Sequence, residues 1–146
     1  MKFLYFLILT SLCVSCSMDN KAYPLQLEKI IKQDSIYQLT VSTEVDLNAI
    51  KNKHQFSEER FICNIKTRDF RAQNLQFDGK FSTSSQKEVD GKYYYTVHLK
   101  MIENQENVPL TKNDTLTGYL QLSYKSGRTY PTKNVTIPAE KIIELN

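Results

Sequence analysis

Tyr37-Gln38-Leu39-Thr40-Val41-Ser42-Thr43-Glu44-Val45 alternates apolar or β-branched residues at odd positions with polar ones at even positions. Successive side chains of a strand point to opposite faces, so this period of two predicts one face in a core and the other in water. Two further stretches repeat it. Tyr93, Tyr95, Val97, Leu99 and Met101 alternate with Tyr94, Thr96, His98 and Lys100, and Leu116, Gly118, Leu120, Leu122 and Tyr124 alternate with Thr117, Tyr119, Gln121 and Ser123. These segments predict an all-β domain.

Working outward, weaker strand patterns cover Leu25 to Ile31, Phe61 to Lys66, Asn74 to Thr83 and Asn134 to Ile137, about seven strands in all. Asp90-Gly91 is the strongest hairpin signal, because a type I′ turn needs positive φ at both central residues. It predicts that a strand around Phe81 to Val89 pairs with Tyr93 to Met101. Ser126-Gly127 predicts a second hairpin onto Thr129, and Asp78-Gly79 reads as a tight turn or a bulge. Asp46 to Glu59 reads as a helical turn capped by Asp46, with Leu47 and Ile50 inward, crossing between sheets. Pro138 to Leu145 fits a short helix or a final strand, and extended structure is the preferred reading.

Many short strands with turns between them predict one antiparallel β-sandwich over residues 24–146. It resembles the immunoglobulin-like fold in architecture alone, since the Cys-Trp-Cys core is absent and the chain has no Trp. A small β-barrel is the alternative.

The first fifteen residues stand apart. Lys2 is followed by an apolar run, Phe3 to Leu9, far shorter than the about 20 residues a spanning helix needs. A cation, a short apolar stretch and small residues before a cut site make the pattern of a secretory signal. Its end, Cys13-Val14-Ser15-Cys16, resembles the lipobox of bacterial lipoproteins, with Cys13 standing where that family usually has Leu. The resemblance implies that residues 1–15 are removed, that Cys16 carries fatty acyl chains such as palmitate through its sulfur, and that residues 16–23 form a tether. Ser17 after the lipidated position implies sorting to the outer membrane, and Ser17-Met18-Asp19-Asn20 resembles a surface-export tether.

Once Lys2 leaves with the leader, eighteen cations face sixteen acids. That balance lacks the basic patch of a nucleic-acid binder, so no nucleic-acid partner is expected. Of three cysteines only Cys63 remains unmodified in the domain, which rules out an internal disulfide. It reads as a small buried hydrophobe.

Catalytic, cofactor and metal sites are not expected. His54 and His98 lie in no hydrolase or metalloprotease motif, the acids are not spaced for calcium, and four glycines do not make a phosphate loop. Tyr94 and Tyr119 are the candidate partner-binding residues, aromatic rings with polar tips able to stack on a glycan or anchor a protein. Asp34-Ser35-Ile36 and Asp114-Thr115-Leu116 resemble bacterial O-glycosylation sites, making Ser35 and Thr115 candidates. Together these features suggest a membrane-anchored, non-catalytic module that binds a protein or glycan, with an immunity-type inhibitor of a toxin or enzyme as the alternative.

Overall fold

The structure, a computed structural model, describes residues 22–66, 76–102 and 110–145. In chain order the elements are β1 (Gln26–Gln33), β2 (Ile36–Thr43), α1 (Leu47–His54), β3 (Glu58–Ile65), β4 (Gln76–Phe81), β5 (Lys87–Val89), β6 (Lys92–Ile102), β7 (Thr115–Ser123), β8 (Thr129–Pro131), β9 (Val135–Pro138) and α2 (Ala139–Ile143). The fold is all-β and antiparallel. The nine strands among the described residues join one sheet in the order β1-β2-β6-β4-β3-β7-β8, with β5 beside β6 and β9 beside β7.

Alternation sets which side of the sheet is dry. Tyr37, Leu39 and Val41 of β2, Tyr95, Val97 and Leu99 of β6, and Leu116, Leu120 and Leu122 of β7 are all at most 3% exposed. Fully burying one such side chain contributes about 1.5–3 kcal/mol. An exposed ion pair such as Arg60–Glu58, 3.3 Å apart, adds about 0–1 kcal/mol, so packing and not surface charge holds this domain together.

The sheet is sandwich-like because it divides at one seam. Ladders of six or more residue pairs join β1 to β2, β2 to β6, β6 to β4 and β3 to β7, whereas β3 and β4 share the single pair Phe61–Gly79. Two flanks, β1-β2-β6-β4 and β3-β7 with β8 and β9, therefore enclose one core. They differ from two separate sheets in staying bonded at that one pair. The far edges also approach: β1 lies against β9, and Lys133 N donates to Tyr23 O at 2.7 Å.

The predicted hairpins form. Asp90 (φ 50°) and Gly91 (φ 76°) link Val89 to Lys92 in a type I′ turn. A second two-residue link, Asp34-Ser35, joins β1 to β2, with Asp34 at φ 56°. Ser126-Gly127 turns β7 onto β8, with Gly127 N bonded to Tyr124 O at 3.0 Å. Asp46 caps α1 by accepting from Ala49 N at 2.8 Å, and the helix runs for two turns.

Four expectations are corrected. Among the described residues nine strands replace about seven, because β5 and β8 are three-residue pieces too short to show alternation. The strand ahead of the Asp90-Gly91 turn covers only Lys87–Val89, since Ser82 accepts from Ser84 N and starts a 3-10 turn over Thr83–Ser85. Asp78-Gly79 is neither turn nor bulge but lies within β4, paired in unbroken register with Lys100 and Leu99. The chain end, expected extended, forms α2 after Pro138, whose fixed φ suits a helix start, and buries Ala139 and Ile142.

Candidate functional site

Strand register decides which residues share the outer surface of β1, β2 and β6. Opposite residues lie on one face, so Gln33, Ile36 and Lys100 make one row and Ile31, Gln38 and His98 the next. A third row is Lys29, Thr40 and Thr96. Ile102, two residues past Lys100, completes the face. Lys29 and Lys100 contribute charge, and no acid is among these ten residues. Glu28 sits in the bulge between Leu27 and Lys29, at the other end of β1, and accepts from Ser42 Oγ.

Ile31, Ile36 and Ile102 are 37–38% exposed. They are diagonal neighbours across β1, β2 and β6, a relationship that places side chains about 7–8 Å apart. They form a slanting aliphatic line beside Lys100. The sequence reading did not single them out. Their signal is phase: each falls on the polar beat of its strand, opposite to the buried residues around it.

This face lies towards the Asp34-Ser35 turn, at the end opposite to where the chain enters β1. At the entry end Leu25 is buried and Tyr23 stacks on Tyr130 with ring centroids 6.4 Å apart. Residue 24 is therefore fixed to the body of the domain.

Tyr94 and Tyr119 both occupy the outward sides of their strands and are half-buried. They are not brought together. Tyr94 of β6 lies opposite Ser42 and Lys87, Tyr119 of β7 opposite Ile62, and β4 and β3 run between them. Neighbouring strands are about 4.8 Å apart, so three steps separate the two rings by about 14 Å along the sheet.

Ser35 is exposed at the tip of the β1–β2 turn, open to a modifying enzyme. Thr115 opens β7 half-buried, opposite Pro138, with its carbonyl accepting from Lys66 N at 2.7 Å. Asp114 before it is buried and accepts from Thr111 N and Oγ1 at 2.7 and 2.9 Å. Cys16 lies outside the described residues.

Glu59, Tyr95 and Cys63 serve the fold. Burial alone raises the Glu59 carboxyl, but hydrogen bonds from Thr83 and Lys51 outweigh it and hold the group below its ordinary value near 4.5. Lys51 Nζ is 2.9 Å away and Thr83 N 3.0 Å, so Glu59 ties α1 and the 3-10 turn to β3. Tyr95 Oη accepts from Leu47 N at 2.8 Å and lies 2.9 Å from Gln86 Oε1, fixing the helix start; its burial pushes the phenol upward. Burial pushes the Cys63 thiol up to about 12, which suppresses the reactive thiolate. His54 packs on Phe56, and His98 is exposed between Gln38 and Lys80. Among the described residues no three His, Cys, Asp or Glu side chains gather to hold a metal. An open cleft of about 530 Å³ follows the β3–β4 seam between Ile62, Arg60, Phe77 and Lys80, where Lys80 pairs with Asp78 at 3.5 Å. No described helix is long and apolar enough to cross a membrane.

Comparison with protein-family models, with curated proteins and with solved structures found no match to the chain.

Proposed function

We propose that this chain is exported, cut ahead of Cys16, lipidated there and held at the outer membrane, where its β-sandwich acts as a non-catalytic binding module. The leader and the Cys13-Val14-Ser15-Cys16 motif supply the anchor in this reading. The observation that carries it is how the chain meets the domain. Tyr23 is bonded to Lys133 and Leu25 is buried, so only about seven residues separate the lipid from a fixed point on the fold. Such a segment spans at most about 25 Å, which keeps the module against its membrane.

The binding role is supported by how the polar groups are employed. Glu59, Tyr95 and Asp114 hold local structure, and Cys63 is sealed in the core. What the domain presents outward is sheet surface, and among its exposed features the isoleucine line stands out.

Cell fractionation and intact-mass measurement of the wild type and Cys16→Ala test this reading. The wild type is expected in the membrane fraction with a mass showing loss of fifteen residues and gain of lipid. A Cys16→Ala protein that stays membrane-bound and matures to the same size overturns it.

A further inference from the structure

We infer that the outward face of β1, β2 and β6 lies on an anionic lipid surface, so that the anchored domain rests flat on its own membrane. The inference rests on the lipid anchor proposed above. Three features of the face favour lipid over a soluble partner.

The first is charge. Lys29 and Lys100 project from a patch whose other outward residues are Gln, Thr, His and Ile, with no carboxylate among them. Across β6, Lys80 stands opposite His98, and Asp78, opposite Lys100, is joined to Lys80 at 3.5 Å. Basic side chains near an anionic bilayer contribute additively, and their effect vanishes within a Debye length, so they matter only in contact.

The second is the aliphatic line. Ile31, Ile36 and Ile102 are branched hydrocarbon with no polar tip, exposed to similar degrees and adjacent to Lys100. A hydrated acidic polymer gains nothing from isoleucine. The boundary between headgroups and acyl chains takes up such side chains while flanking lysines extend to the phosphates.

The third is reach. β1 is the first strand after the tether, and it carries both Lys29 and Ile31. The seven residues from Cys16 to the fixed Tyr23 span up to about 25 Å, close to the about 27 Å of an eight-residue strand, so the anchor permits most of the face to touch the leaflet.

The test uses the lipidated mature chain in vesicles, with a nitroxide on Gln38→Cys in this face or on Gln121→Cys on β7. Cys63 is buried and does not compete for the label. Collision with a water-soluble nickel chelate reads exposure, and dissolved oxygen reads proximity to lipid. On phosphatidylglycerol-containing vesicles the Gln38 label is expected to be shielded from the chelate and reached by oxygen, while the Gln121 label stays in water. In Lys29→Glu/Lys100→Glu the ratio of shielded to exposed label is expected to fall at least about 30-fold, the effect of losing two lysine attractions at such a surface, to which the two new carboxylates add repulsion. Ile36→Asp is expected to release the face in the same way.

Equal chelate exposure of both labels on a chain that remains with the vesicles overturns the inference. So does shielding that persists on pure phosphatidylcholine and in the charge-reversed protein. A chain that leaves the vesicles and carries no lipid mass overturns the anchor reading instead.

Discussion

The ring of Phe61 lies over Gly118, so close that a β-carbon there would overlap Phe61 Cζ and sit 2.8 Å from Cε1. The same aromatic residue bars a side chain at Gly79 on its other flank, where a β-carbon would meet its carbonyl oxygen and, at 2.9 Å, its own β-carbon. One phenylalanine on β3 therefore takes the space of two missing side chains, on β7 and β4, at the seam where the two flanks meet. An aromatic ring covering a strand glycine restores buried area that glycine lacks.

Gly118→Ala is accordingly expected to destabilise the domain by about 1–3 kcal/mol, the usual cost of overpacking. Phe61→Leu is expected to destabilise through lost volume. The double variant should be more stable than the sum of the two losses implies, because the smaller side chain makes room for the methyl. Urea unfolding midpoints at unchanged slope measure this coupling, and strict additivity would refute the contact.

Acid should weaken the fold through Glu59. Its folded carboxyl is held below the ordinary value despite burial, by hydrogen bonds from Thr83 and Lys51, so the unfolded chain takes up the proton first. The stabilisation is full above the unfolded value near 4.5 and is lost as pH falls through the folded value. Glu59→Gln is expected to lower stability at pH 7 and to flatten the decline between neutral and acid pH. Thermal melts across that range check it, and an unaltered acid slope refutes it.

Cys63 should resist alkylation in the native protein, since burial pushes its thiol to about 12 and leaves it 7% exposed. Iodoacetamide at pH 8 is expected to modify it only as fast as the fold opens, and promptly in denaturant. Rapid native labelling would contradict the buried placement.

Gly91 adopts φ 76° with open space around it, so Gly91→Ala should cost backbone strain alone. A left-handed conformation costs a residue with a side chain about 1–2 kcal/mol. Thr43, by contrast, is 4% exposed and its Oγ1 has no hydrogen-bond partner among the described residues. Thr43→Val is expected to be neutral or stabilising, since it removes a buried hydroxyl that gains nothing. Melting temperatures of the two variants should move in opposite directions or differ clearly.

Much of the architecture was readable from the chain. Leu39, Val41, Val97, Leu99, Leu120 and Leu122 keep a strict period of two, and Asp90-Gly91 has the turn chemistry that its φ values demand. Gly79 misled because glycine has two uses in sheets. Asp78-Gly79 reads as a tight turn or a bulge, whereas the glycine marks where Phe61 comes close, and that neighbour is eighteen residues away in sequence. The end of the chain misled because Ala139 and Ile142, one helical turn apart, are too few apolar positions to separate a five-residue helix from a strand. The isoleucine line was hidden for a different reason. Ile31, Ile36 and Ile102 become neighbours only through the β1–β2–β6 register, and that β6 and not β3 follows β2 in the sheet is a matter of long-range pairing.

The direction of β1 has a mechanical consequence. Its N-terminal end follows Leu25, which enters the core, and its C-terminal end runs to the Asp34-Ser35 turn at the opposite pole. Under the proposed lipid anchor, a pull on the chain ahead of Leu25 against the body of the domain runs along the strand axis and loads the bonds between β1 and β2 in parallel, as in a lap joint under shear. In that reading the first strand bears drag without peeling away one rung at a time.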